Sequence, residues 1–134
     1  MNRKRGETVD LPVLNEELNT ILSEVTESIK KLYGSKLKKI ILYGSYAMGC
    51  QDEESDIDLM VLIDMDEPQL RNYDKKLNEI ISDIGYRHLK VLSLIDMSYE
   101  KYNKWVDVVP YYKNVKNQGV VVYEQKEDFL CKKL

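Results

Sequence analysis

The chain has 134 residues, of which 43% are hydrophobic and 32% are charged, with a formal net charge of −3. These values predict one globular domain that buries its own core, and they argue against bulk nucleic-acid binding. The two cysteines form no CxxC pair, and no apolar run approaches a membrane span, so a cytoplasmic protein is expected. We predict a single domain over 1–134, with a loose lead-in over 1–12 and a weakly anchored tail over 125–134.

Hydrophobic periodicity divides the chain into alternating helices and strands. Apolar residues three and four positions apart predict a first helix, with Asn15 as its N-cap and Gly34 as its stop. Gly85 is expected to end the second long helix, and Ser98 to cap a later one. We predict helices over 15–33, 67–85 and 98–105 and after Pro110, and strands over 37–43, 55–64, 88–95 and 119–123. This alternation indicates an α/β or α+β layer structure.

Two aspartates, Asp56 and Asp58, stand at the head of the second predicted strand, although Asp is a poor strand residue. Strand alternation points both side chains to one face, about 7 Å apart along the backbone. Paired carboxylates repel each other and lose hydration unless a cation lies beside them, and Mg²⁺ or Mn²⁺ suits carboxylates together with substrate phosphates. The alternative is a solvated acidic loop of Asp52, Glu53, Glu54 and Asp56, because aspartates often cap turns.

Gly44 and Ser45 directly follow the first predicted strand. Glycine lets a ligand approach the backbone, and N–H groups at a helix start bind phosphate, with a serine hydroxyl as a further donor. The Lys of a Walker loop is missing, and a purely structural turn is the alternative. Ten residues separate Ser45 from Asp56, enough for the second strand to return beside the first. Phosphate donors and carboxylates are then expected to meet at one end of a sheet.

The segments GSYAMG and SDIDLMVL together resemble the signature of the polymerase-β-like nucleotidyltransferase superfamily, in particular its minimal nucleotidyltransferase branch. The resemblance implies a small mixed β-sheet flanked by helices. It also implies metal-dependent transfer of a nucleoside monophosphate, AMP from ATP, to a hydroxyl of a protein or small molecule, with release of pyrophosphate. On this basis Gly44 and Ser45 are predicted to bind the nucleotide, and Asp56 and Asp58 to be catalytic and to hold two Mg²⁺ ions.

Two departures from the family pattern weaken the expectation of fast catalysis. Met48 stands where family members usually carry Arg, although a partner or one of three lysines could supply the missing charge: Lys36, Lys38 or Lys39. The family takes a third carboxylate from a later strand, and the matching strand here contains no acid. The equivalent position is expected near His88 or Leu89. His88 could act as a base or a metal ligand, or be a surface residue at a strand start.

The resemblance also implies a helical partner of the HEPN type, as in toxin–antitoxin modules. A catalytically weakened binding module that acts on such a partner is therefore the alternative function, and a cytosolic domain unrelated to the family is a third. In so short a chain, a partner or self-association is expected to complete the acceptor side. Aromatic residues near the C-terminus form either a half-buried core or a partner-binding face. They are Tyr99, Tyr102, Trp105, Tyr111 and Tyr112.

Overall fold

The computed structural model describes residues 16–52 and 54–126 of the chain. Four strands form one mixed sheet in the order β3-β2-β1-β4. They are β1, Leu37–Tyr43; β2, Ile57–Ile63; β3, Leu92–Ser98; and β4, Val120–Glu124. β1 lies antiparallel to both β2 and β4, whereas β2 and β3 run parallel.

Helices cover both faces of this sheet. They are α1, Glu16–Tyr33; α2, Ser45–Met48; α3, Glu67–Arg71; α4, Asp74–His88; α5, Tyr99–Trp105; and α6, Pro110–Gln118. A small mixed sheet flanked by helices confirms the predicted fold class. Along residues 16–52 and 54–126, no helix combines the length and apolar character needed to cross a lipid bilayer.

The first face of the sheet carries the larger core, beneath α1, α3 and α4. Alternate residues of β2, such as Leu59 and Val61, point to this face and are fully buried. The apolar stripe of α1, which includes Ile21 and Ile29, packs onto them. Burial of each such side chain stabilises the fold by about 1.5–3 kcal/mol. These contacts fix the position of β2 relative to α1.

The second face carries a smaller core beneath α5 and α6. Met60 and Leu62 of β2 point to this face, where Tyr102 of α5 is also buried. Tyr111 and Trp105, in contrast, remain 42% and 41% exposed. The aromatic residues near the C-terminus are thus divided between the core and the surface.

Most predicted elements lie within two residues of their expected bounds. Ser98 caps α5 as predicted, because its hydroxyl accepts a hydrogen bond from the N–H of Lys101 at 3.2 Å. Asn15, the lead-in over 1–12 and the last eight residues of the predicted tail lie outside the described residues. The single domain over 1–134 stays a prediction.

The helix predicted over 67–85 is two helices. Asp66 and Gln69 form a capping box that starts α3, with side chain to backbone distances of 3.0 and 3.1 Å. Hydrogen bonds of the 3₁₀ type then interrupt the α-helical pattern, because the N–H groups of Asn72 and Tyr73 each donate to the carbonyl three residues earlier. α4 begins directly afterwards.

The prediction that Gly85 ends this helix is wrong. α4 continues to His88, and Leu89 ends it in the left-handed conformation, with φ 55°. Glycine is required at position 85 for a different reason: a Cβ there would lie 2.7 Å from the carbonyl oxygen of Lys90. Because the helix takes up these extra residues, β3 begins at Leu92 rather than at residue 88.

Candidate active site

The end of β1 and the start of β2 bring the two predicted motifs side by side. In the antiparallel register, Tyr43 is the partner of Asp58, and Gly44 follows directly. A Cβ on Gly44 would overlap Oδ2 of Asp58. Gly44 also has φ 76°, a conformation that favours glycine. The carboxylate of Asp58 therefore occupies space that only a glycine at position 44 leaves open.

Gly44 and Ser45 form the start of a short helix, as predicted. Gly44 is the N-cap of α2, and its carbonyl accepts a hydrogen bond from the N–H of Met48 at 3.2 Å. The half-buried Ser45 is the first helical residue. Gly49, with φ 75°, closes the helix in the left-handed conformation. This turn directs a glycine and a serine toward the same strand ends as the two aspartates.

Asp56 and Asp58 lie at the N-terminal end of β2. Asp56 is exposed and directly precedes the strand, whereas Asp58 is half-buried within it. Because Ile57 and Leu59 point to the first face, alternation places Asp58 on the second face. Burial, and secondly the nearby Asp56 carboxylate, raise the pKa of Asp58 above its ordinary value. A divalent cation bound beside the two carboxylates would reduce the repulsion between them.

The acidic loop before β2 has a different role. Asp52 Oδ1 accepts hydrogen bonds from the N–H of Glu54 at 2.9 Å and from the hydroxyl of Ser55 at 3.2 Å. Such bonds hold a turn together. The expectation of a solvated acidic loop therefore describes Asp52, Glu54 and Asp56, all of which are exposed, but it does not extend to the half-buried Asp58.

Ser93 occupies the strand position beside Asp58 where a third carboxylate could have been placed. β2 and β3 are parallel, and their register pairs Asp58 with Ser93. Ser93 is half-buried. Among the described residues, no group of three or more His, Cys, Asp or Glu side chains is close enough to hold a metal ion. On β2 and β3, the described residues at these strand ends thus include the carboxylates of Asp56 and Asp58 and, in place of a third acid, the hydroxyl of Ser93.

The expected equivalence of His88 or Leu89 to this position is wrong, because neither residue belongs to β3. His88 is the last residue of α4, and its Nε2 lies 2.5 Å from Oε1 of Glu24 on α1. Leu89 is 86% exposed in the following turn. Asp96, further along β3, pairs with Val61 and contacts Arg71 at 2.9 Å. The side chains of His88 and Asp96 thus connect elements of the fold, and none of the three residues is the strand partner of Asp58.

Lys38 and Lys39 do not supply the positive charge that the family pattern expects at the position of Met48, and Lys36 lies before β1, further still from Gly44. Lys38 donates a hydrogen bond to Gln125 at 2.8 Å, and Lys39 contacts Glu124 at 3.5 Å. Both lie at the opposite end of β1 from Gly44, and six strand residues span about 20 Å. Met48 itself is 55% exposed, so this side of the site is open.

A tyrosine pair next to Asp58 was not predicted from the sequence. The hydroxyl of Tyr111, on α6, donates a hydrogen bond to the hydroxyl of Tyr43 at 2.8 Å. Burial, the Tyr111 hydroxyl and the charge of Asp58 together raise the pKa of Tyr43 above its ordinary value. The position of Tyr43 directly before Gly44 was a usable signal, but nothing in the sequence links it to Tyr111, 68 residues later.

The chain is similar to known proteins in sequence and, more distantly, to a solved structure. The chain is 33% identical over 110 residues to "Putative protein adenylyltransferase MJ0604" of Methanocaldococcus jannaschii, an alignment that covers 82% of this chain and 100% of the relative. It is 34% identical over 90 residues to "Putative protein adenylyltransferase MJ0141" of the same organism, covering 60% and 90%. It is also similar to a chain in a crystal structure of a toxin–antitoxin with AMP-PNP, with 23% identity, a TM-score of 0.48 and coverage of 75% and 73%.

The family itself is settled by a match to a whole-domain pattern. Residues 22–132 match the family described as nucleotidyltransferase domain. This matched range includes both Gly44-Ser45 and Asp56-x-Asp58. The predicted family is therefore confirmed. This chain belongs to the nucleotidyltransferase domain family, and it is an enzyme of the nucleotidyl-transferring class.

Proposed function

We propose that this chain transfers AMP from ATP to a hydroxyl group of a protein and releases pyrophosphate. The observation that carries the proposal is the close approach of Gly44 and Asp58, which places the turn at the start of α2 directly against a carboxylate. The choice of AMP and of a protein acceptor is supported by the names of MJ0604 and MJ0141, which describe protein adenylyltransferases.

Asp56 and Asp58 would hold Mg²⁺ or Mn²⁺ in this proposal. The donor set fits such an ion, because two neighbouring carboxylates raise each other's energy when charged, and because Mg²⁺ commonly binds one or two carboxylates together with substrate phosphates. The pKa of Asp58, raised by burial and by Asp56, is consistent with a site that gains from a nearby cation. When bound, the metal would neutralise charge on the triphosphate and polarise the reacting phosphate.

The protein groups around these carboxylates would bind and orient the nucleotide. Gly44 lets the Asp58 carboxylate lie against this turn, and the hydroxyl of Ser45 and the N–H groups at the start of α2 would donate to phosphate oxygens. Tyr43 and Tyr111 would form the wall of the site on the α6 side, where they limit the access of water. Each of these groups lies on an element anchored in one of the two cores.

Ser93 favours a second candidate function, a weakened transferase that acts mainly by binding a partner. A serine hydroxyl is neither a general base of useful strength at neutral pH nor an anionic metal ligand. In this alternative the chain would bind Mg-nucleotide through Asp56 and Asp58 and would turn over slowly. The helical HEPN-type partner implied by the sequence resemblance stays a prediction.

Transfer of label from ATP tests the proposal. The protein is incubated with Mg²⁺, ATP labelled at the α-phosphate and a cell lysate, and labelled proteins are detected after electrophoresis. We expect label on protein from the parent chain and from the Asp64→Asn control, which removes an exposed acid at the other end of β2. Asp58→Asn is expected to abolish labelling.

A Ser93→Asp variant separates the two candidates. If the parent labels proteins and Ser93→Asp changes the rate less than about tenfold, the parent site is competent as it stands. If the parent is inactive while the variant transfers label, the weakened transferase is correct. Absence of labelling from both, with no binding of Mg-ATP, would contradict both candidates.

A further inference from the structure

The hydroxyl pair of Tyr43 and Tyr111 adjoins the candidate carboxylates on the second face. Tyr43 is the cross-strand partner of Asp58, and facing residues in an antiparallel pair have Cβ atoms about 4.5–5.5 Å apart. Its ring leads away from the sheet toward α6, where its hydroxyl meets that of Tyr111. Tyr111 is therefore connected to Asp58 through a single intervening side chain.

Tyr111 is held in place but remains accessible. Its ring packs edge-on against Tyr43, with centroids 6.1 Å apart, and against Tyr112, with centroids 6.2 Å apart. It is still 42% exposed. The hydrogen bond to Tyr43 holds the Tyr111 oxygen in position, and a hydroxyl oxygen has two lone pairs, either of which can attack an electrophile. A hydroxyl that is held in place and still exposed meets two requirements of an acceptor in group transfer.

We propose that Tyr111 is itself an acceptor, so that the chain attaches a nucleoside monophosphate to its own tyrosine hydroxyl. This inference rests on the proposed function and names one acceptor for it. The Tyr111 oxygen forms a bond to the α-phosphorus of ATP, and the bond from that phosphorus to the oxygen that bridges the β-phosphate breaks. Pyrophosphate leaves with the bonding electrons, the phenolic proton passes to solvent, and Tyr111 carries AMP through a phosphodiester.

Proximity favours Tyr111 over acceptors in solution. A side chain fixed beside the reacting group acts at a high effective concentration, which removes much of the entropic cost of bringing two molecules together. Tyr86, which is 81% exposed, belongs to α4 on the other face of the sheet. Exposure alone would favour Tyr86, whereas position relative to Asp58 favours Tyr111. Modification of Tyr86 would therefore indicate that exposure selects the acceptor, and modification of Tyr111 that position does.

Mass spectrometry of the intact chain after incubation with Mg²⁺ and ATP tests this inference. We expect a gain of one AMP per chain, mapped to Tyr111 by peptide sequencing, with a rate constant that is independent of protein concentration. The adduct is lost in Tyr111→Phe and in Asp58→Asn, and it is retained in Tyr112→Phe, the adjacent ring. Tyr43→Phe removes the hydrogen-bond acceptor but not the nucleophile, so it is expected to slow the modification without abolishing it.

Protection from nitration provides a readout that does not depend on turnover. Tetranitromethane is applied with and without Mg²⁺ and a non-hydrolysable ATP analogue, and nitrated tyrosines are mapped by mass spectrometry. We expect nitration of Tyr111 to be lost when the analogue is present and nitration of Tyr86 to be unchanged. Nitration of Tyr111 that is unaffected by bound analogue would place this residue away from the nucleotide and would overturn the inference.

The failure of this inference can be distinguished from failure of the proposed function. If lysate proteins are labelled while Tyr111 carries no adduct, the inference is wrong and the proposed function stands. An adduct on Tyr86 instead of Tyr111 has the same consequence. If neither the lysate nor the chain itself is labelled, both are overturned.

Discussion

Gly44 is the residue whose backbone conformation bears most directly on the position of the Asp58 carboxylate. Its φ of 76° is unfavourable for other residues, and the space that a side chain would need is filled by Asp58. Gly49, only five residues later, has nearly the same φ of 75° but open space around it. The two glycines therefore separate the effect of backbone strain from that of the contact with Asp58.

We predict that Gly44→Ala loses Mg²⁺-dependent transfer, whereas Gly49→Ala retains it. Both variants force alanine into the left-handed region, which costs about 1–2 kcal/mol. Only Gly44→Ala must also displace the Asp58 carboxylate. Transfer assays and thermal unfolding of both variants measure the two effects. Equal loss of activity in both would show that strain in this turn, rather than the Asp58 contact, is what matters.

Asp58 is expected to lower the stability of the metal-free protein at neutral pH. Its pKa is raised in the folded state from its ordinary value of 3.8, so the folded protein binds this proton more tightly than the unfolded chain. The stability gained from that proton is fully present below pH 3.8 and is lost as the pH rises through the folded pKa.

In metal-free buffer, Asp58→Asn should therefore melt at a higher temperature than the parent at pH 7. The expected gain is on the order of a few °C, and it should shrink toward pH 4. Scanning calorimetry between pH 4 and 7 measures it, and Asp64→Asn is the control for loss of one acid from the same stretch of chain. A parent that melts above Asp58→Asn at pH 7 without metal would contradict the prediction.

At the scale of elements, the connection from α4 to β3 decides which residue faces Asp58. Gly85 was expected to end α4, but it permits a close backbone contact with Lys90 instead. The helix therefore extends to His88, and the register of β3 brings Ser93 beside Asp58. A sequence pattern specifies that a glycine is needed, but it does not say whether for a turn or for close packing.

Leu89 carries the strain of this connection. It is the one described residue other than glycine with a positive φ, and its side chain is 86% exposed. We predict that Leu89→Gly stabilises the protein by up to about 1 kcal/mol, since glycine removes a steric conflict of about 1–2 kcal/mol and its greater freedom in the unfolded chain offsets about 0.5–1 kcal/mol of that gain. Leu89→Ala, which keeps the conflict, should change stability little. Thermal or urea unfolding measures both, and a destabilised Leu89→Gly would show that the leucine side chain makes a needed contact.

At the scale of the whole molecule, the candidate site depends on both cores at once. Gly44 and the aspartates are anchored by strands that the first face holds in place, while Tyr111 comes from a helix that covers the second face. A ligand that binds here therefore restrains elements from both layers. Because binding to the folded state alone shifts the unfolding equilibrium, the effect should appear in global stability.

We predict that Mg-ATP raises the melting temperature of the parent chain. At a hundredfold excess over Kd the gain is about 2.7 kcal/mol, which corresponds to a shift on the order of 10 °C. Asp56→Asn and Asp58→Asn should lose most of this shift, and Asp64→Asn should keep it. Thermal shift measurements with Mg-ATP, and with ATP in EDTA, check the result. An equal shift in Asp58→Asn would mean that the nucleotide binds elsewhere.

The sequence by itself determined the features that depend on local spacing. Three features each lie within a short stretch of chain: the 3.6-residue period of α1, the apolar run Ile40–Tyr43 of β1, and the motifs Gly44-Ser45 and Asp56-x-Asp58. Such patterns reflect backbone geometry and burial on neighbouring residues. The fold class and the family could therefore be predicted before the structure was known.

Only the tertiary structure decided which distant residues join the two motifs. Ser93 reaches Asp58 through strand register, and Tyr111 reaches Tyr43 through the packing of α6. Strand register changes with a shift of one residue, and helix packing is set by the summed burial of many side chains. Neither is written in a short motif, because the free energies that fix them come from contacts between segments far apart in the chain.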